Sequence, residues 1–142
     1  LSTCHFALVF PKLPLILILE KNDIFPMSVL PSIIRPSWRR RLIQTMTSRI
    51  QRAFRPDKVI LFGSCATGHV FPDSDIDLLV IMPDTVDKRR KQVEIRMALH
   101  DIKVAKDVIV MGQKEYLRGR SIPGTLARVA EREGKVLYAK TR

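Results

Sequence analysis

Apolar and polar positions fall into blocks of two periods along this chain, one helical and one extended. From Trp38 to Phe54 the apolar residues Trp38, Leu42, Ile43, Met46, Ile50 and Phe54 recur at helical spacing and predict an amphipathic helix. Arg39, Arg40, Arg41, Arg49 and Arg52 fall largely on its other side, where a solvated face is the default and a partner or phosphate contact the alternative. Ser37, after Pro36, is the expected N-cap, and Pro56 ends the helix. Val59–Phe62 is continuously apolar, as expected of a central strand covered on both faces. Asp75–Met82 is the second expected strand. Ile76, Leu78 and Val80 face one side; Asp75, Asp77, Leu79 and Ile81 face the other.

Between these strands, Gly63-Ser64 reads as a tight turn, Cys65–Gly68 has room for one helical turn, and Pro72-Asp73-Ser74 is turn chemistry. Val86–His100 is expected to be a helix with Val93, Met97, Ala98 and Leu99 in the core and Lys88-Arg89-Arg90-Lys91 in solvent. Lys106–Met111 is a third strand, Lys114–Arg118 a helical turn, and Ser121–Gly124 a break. Thr125–Glu133 reads as a helix with Leu126, Val129 and Ala130 inward, Gly134 as its C′ residue, and Lys135–Ala139 as a last short strand. The blocks predict a small α/β (α+β) domain, a mixed sheet of about four strands with helices mainly on one face.

Length and composition narrow this picture. The 142 residues suffice for one domain, assigned to residues 37–142, preceded by a poorly specified extension over residues 1–36. In that extension Phe6–Leu19 is apolar but interrupted by Pro11, Lys12 and Pro14, and it lacks the basic start and cleavage site of a signal peptide. It reads as upstream sequence with Met27 as an alternative start, or as a tail whose Leu15–Leu19 segment adds an edge strand or covers a patch. No run reaches the ~18–20 apolar residues of a membrane span. Cys4 and Cys65 are far apart and without metal-ligand spacing, which fits a reducing, cytoplasmic setting. The net charge of +11 favours polyanionic partners, nucleic acid among them, but also suits a merely soluble surface.

The candidate chemistry lies in one stretch, Lys58–Met82. A Gly63-Ser64 turn is followed by ten residues and then by Asp75-Ile76-Asp77. In a strand, Asp75 and Asp77 project together, roughly 6.5–7 Å apart. Like charges so close repel and raise one pKa unless a cation intervenes. Magnesium takes one or two carboxylates together with substrate phosphates. Gly63 allows close backbone approach to an anion, and Ser64 offers a hydroxyl and an N–H. Together these suggest a nucleoside triphosphate site. Asp107 is the acid inside an otherwise apolar strand, costly there unless paired, metal-bound or at a wet end. Bland readings accompany these: Asp73 as a turn residue, His69 and His100 as surface histidines, Cys65 as a small packed residue, Tyr116 and Tyr138 as packing residues.

Gly63-Ser64, ten residues, Asp75-x-Asp77 and an apolar strand resemble the signature of nucleotidyltransferases with the DNA-polymerase-β-type palm. The short length and the ending Arg-Glu-Gly-Lys-Val-Leu-Tyr look like the minimal nucleotidyltransferase (MNT) group, whose members are often antitoxin partners of HEPN-domain toxins. The resemblance covers roughly residues 38–140. It implies that Gly63 and Ser64 hold the triphosphate, that Asp75, Asp77 and Asp107 bind two Mg2+ ions, and that Asp107 helps activate the attacking hydroxyl. It further implies ATP as donor, with AMP passed to a tyrosine of a HEPN-type toxin. A small-molecule acceptor, as in the resembling aminoglycoside enzymes, and a non-catalytic module acting by occlusion are the other readings. The resemblance departs at Cys65, where many members carry Arg; either nucleotide affinity is lower or a nearby Lys or Arg substitutes for that charge.

Overall fold

The computed structural model describes residues 37–71 and 73–141. The expectations placed on residues 1–36, on Pro72 and on the capping side chain of Ser37 lie outside the described residues. The chain forms α1 (Ser37–Phe54), β1 (Lys58–Phe62), α2 (Ser64–Thr67), β2 (Ile76–Met82), α3 (Lys88–Ala98), β3 (Lys106–Gly112), α4 (Gln113–Gly119), α5 (Leu126–Glu133) and β4 (Lys135–Ala139). Among the described residues, no helix is long and apolar enough to cross a membrane.

The four strands make one sheet in the order β3-β2-β1-β4. The sheet is mixed. β1 runs antiparallel to both β2 and β4, whereas β2 and β3 run parallel. A parallel pair needs a crossover, and α3 supplies it. The two continuous apolar runs become the two central strands, buried on both faces from Val59 to Leu61 and from Leu78 to Met82.

Strand alternation divides the core. On one face Ile43, Met46 and Ile50 of α1 and Ile95 and Leu99 of the α3 region pack on Val59, Leu61, Ile76, Leu78, Val80, Val108 and Val110. This is the larger cluster, so the helical cover is heavier on that side. On the other face Tyr116 of α4 and Ala127 and Ala130 of α5 cover Ile60, Leu79 and Ile81. Burial and a hydrogen bond to Glu131 push the Tyr116 hydroxyl pKa well up, so this tyrosine is a neutral packing residue.

Two helices differ in part from the expected pattern. α3 spans Lys88–Ala98 rather than Val86–His100, because the Asp87 carboxylate caps it by accepting from the N–H groups of Arg89 and Arg90. Val93 and Met97, expected inside, are 61% and 64% exposed, while Ile95 and Leu99 are fully buried. The pairs 93/97 and 95/99 share i,i+4 spacing but point about 200° apart, two residues at ~100° each. Gln92 settles the phase: its side-chain oxygen accepts from the Val110 N–H on the outer edge of β3 at 3.1 Å. In α5 Leu126 and Ala130 pack inward as expected, joined by Ala127, while Val129 is exposed. Gly134 does follow α5, but at φ −75° and ψ 161° it is extended rather than left-handed. Glycine is needed there for closeness instead, since a Cβ would lie 2.7 Å from Ile60 Cγ2.

Candidate active site

The candidate residues gather at one end of the sheet. Phe62, the last residue of β1, is the register partner of Asp77, and Asp77 is the register partner of Asp107 on β3. A row therefore crosses three strands, with neighbours ~4.8 Å apart. Asp77 shares a face with Leu79 and Ile81, at the end where that face opens to solvent. Asp75 lies just before β2 and is exposed; Asp77 and Asp107 are half-buried.

Gly63 turns the chain from β1 into α2 at φ 69° and ψ −157°. That conformation is essentially restricted to glycine. Space demands the same residue, because a Cβ at Gly63 would run into Asp77 Oδ2. The turn and the carboxylate are thus in contact across the sheet. The Gly63 carbonyl accepts from the N–H groups of Ala66 and Thr67, and Gly68 donates to the Ser64 carbonyl. The N–H groups of Ser64 and Cys65 precede these bonds and have no acceptor within the helix.

Electrostatics single out Asp77. Burial pushes its carboxyl pKa up, and the charges of Asp75 and then Asp107 push it the same way. A carboxylate whose charge is opposed by two others is relieved by a bound cation, and oxygen donors suit a hard divalent ion. The set is not closed in this conformation. Among the described residues, no three carboxylate, histidine or cysteine side chains are gathered to hold an ion outright. Asp107 Oδ1 accepts from Arg96 Nη2 at 2.7 Å and from its own neighbour's N–H, Val108, at 2.9 Å.

Arg39 is the residue that the reading of the sequence missed. Its charge predicts a solvated side chain, yet it is 3% exposed. Its Nη1 donates to Cys65 Sγ at 3.7 Å and to the Phe71 carbonyl at 3.3 Å. The signal was present in the periodicity, since residues 39, 43, 46 and 50 lie on one helical stripe. Cys65 is fully buried, as expected of a packed residue, and its thiol donates to the Asp75 carbonyl at 3.1 Å. Burial pushes its thiol pKa up against the opposing pull of Arg39, so it stands as a neutral donor. Cys65 therefore has a guanidinium against it, supplied from α1 rather than from the turn itself.

A mixed sheet with a glycine turn lodged against a strand-end aspartate fits a nucleotidyl-transfer type of domain. The family model described as Polymerase beta, Nucleotidyltransferase matches residues 44–142, and the chain belongs to that family. Comparison with curated proteins gives no match. Among solved structures, a protein from Sulfolobus solfataricus assigned as a nucleotidyltransferase matches with a TM-score of 0.52 and 19% identity, over 70% of this chain and 79% of that one. A mutant of the toxin-antitoxin MntA-HpeT matches with a TM-score of 0.50 and 20% identity, over 68% of this chain and 73% of that one. A toxin-antitoxin structure with AMP-PNP matches with a TM-score of 0.45 and 24% identity over the same shares. At these identities the likeness is one of fold.

Proposed function

We propose that this nucleotidyltransferase moves AMP from ATP to a hydroxyl of a protein partner, as an MNT-type antitoxin acting in the cytoplasm on a HEPN-type toxin. The observation that carries the reading is the contact between Gly63 and Asp77, with Asp75 and Asp107 close enough to raise the Asp77 pKa. A phosphate-approaching turn and a cation-demanding carboxylate are built against each other. The solved toxin-antitoxin neighbour of the same fold supports the choice of a protein acceptor.

In this reading the Gly63-Ser64 turn holds the triphosphate through backbone N–H groups and the Ser64 hydroxyl. Asp75, Asp77 and Asp107 would hold two Mg2+ ions, which supply positive charge to the phosphate oxygens. The acceptor oxygen forms a bond to the α-phosphorus, the bond from that phosphorus to the bridging oxygen breaks, and pyrophosphate leaves. Asp107, at the solvent end of its strand, takes the acceptor's proton. Arg96 pairs with Asp107 and neutralises part of its charge.

The test is incubation of the protein with α-labelled ATP, Mg2+ and the toxin produced with it. Label should pass to the partner, and Asp77→Ala should abolish transfer in a protein that still folds. An Asp77→Ala protein that neutralises its partner as well as the wild type would show occlusion to be the mechanism and would refute the proposal.

A further inference from the structure

α1 begins outside the residues that the family model matches, at 44–142, and it carries a buried cation to the back of the site. Arg39 lies behind the segment joining Ser64 to Asp75. Among its contacts are two on that segment, Cys65 Sγ and the Phe71 carbonyl. Its guanidinium carbon also lies 5.1 Å from the Trp38 ring centroid. Cys65 relays the contact onward, because its thiol donates to the carbonyl of Asp75. The N–H of the same peptide unit, that of Ile76, donates to the Ala105 carbonyl at 3.0 Å. The Asp75–Ile76 peptide plane is therefore gripped from both sides, immediately before β2. Its orientation sets the direction of Asp75 and the entry of Asp77 into the strand.

We propose that Arg39 is a positioning residue for the carboxylates: through Cys65 it clamps the Asp75–Ile76 peptide and sets the distance between the Gly63-Ser64 turn and the Asp75/Asp77 pair. The geometry is that of an outer support, whose loss moves ligands without removing any. Both contacts are made by Nη1, and a guanidinium keeps its charge when it is buried.

The inference rests on the metal reading of the carboxylates, and two readouts keep them apart. The first is Mn2+ affinity, measured by electron paramagnetic resonance on the full chain without nucleotide. The second is amide exchange at Ile76 compared with Val80 in the middle of β2. Arg39→Met should weaken Mn2+ about tenfold, the scale usual for outer supports of a metal site. Exchange at Ile76 should quicken about tenfold while Val80 keeps its rate. Cys65→Ala should do the same from the other end of the relay, which covers the case of an Arg39 variant that fails to fold. Cys65→Ser retains a donor and should stay within about twofold of wild type in both readouts. Unchanged Mn2+ affinity and Ile76 exchange in folded Arg39→Met and Cys65→Ala would overturn the clamp. So would equal quickening at Ile76 and Val80, the mark of general loosening. A wild-type protein that takes up no Mn2+ overturns the metal reading instead, and exchange at Ile76 then decides the clamp by itself.

Discussion

Replacing Gly63 by alanine should disturb both stability and the carboxylate row, and the two parts can be separated. The backbone at φ 69° and ψ −157° lies in a region that only glycine enters freely. Holding alanine there costs about 1–3 kcal/mol. For a domain of this size about 1 kcal/mol moves the melting temperature by about 5 °C, so Gly63→Ala should melt about 5–15 °C lower. The new methyl also occupies the place of Asp77 Oδ2, and the carboxylate must rotate away. That second part is a coupling, and a double-mutant cycle isolates it. In an Asp77→Ala background the obstructing oxygen is gone, and Gly63→Ala should cost only its backbone share. Urea denaturation of the wild type, the two single variants and the double variant supplies the four numbers. An interaction energy indistinguishable from zero would refute the contact between turn and carboxylate. A Gly63→Ala protein as stable as wild type would refute the backbone argument as well.

Two further outcomes follow from the charge and the packing. The raised Asp77 pKa means that its contribution to folding is favourable below the unfolded value of 3.8 and is lost as pH rises through the folded value. At neutral pH its charge therefore opposes the metal-free fold; Asp77→Asn should raise the melting temperature at pH 7 and lose that advantage as the buffer is acidified toward pH 3.8, and a lower melting temperature at pH 7 would contradict it. In α3, Ile95→Ala should cost about 2–5 kcal/mol, whereas Val93→Ala should stay within about 0.5 kcal/mol, as read by chemical denaturation. Similar losses in both would mean that the phase of the helix is wrong.

The sequence by itself determined the strands and the order of the elements, and it named the candidate carboxylates. Val59–Phe62 could be read as a central strand because an unbroken apolar run has to be covered on both faces, and Asp75–Met82 could be read as the next strand. The face shared by Asp77, Leu79 and Ile81 followed from strand alternation, which is a local property. The family model confirms the nucleotidyltransferase resemblance that the Gly-Ser and Asp-x-Asp spacing suggested.

Only the tertiary structure decided the rest, and the reason is the same in each case: the deciding contact joins residues distant in the chain. Val93/Met97 and Ile95/Leu99 are equally good i,i+4 pairs, and the larger sheet face selects the second. Arg39 sits on the buried stripe of α1, but charge argued for solvent until Cys65 and the Phe71 carbonyl gave it acceptors. The closeness of Gly63 to Asp77 depends on the antiparallel register that sets Phe62 opposite Asp77, and the place of Asp107 depends on the parallel register beside it. Local chemistry named the groups that could act together; the pairing of the strands brought them to one end of the sheet.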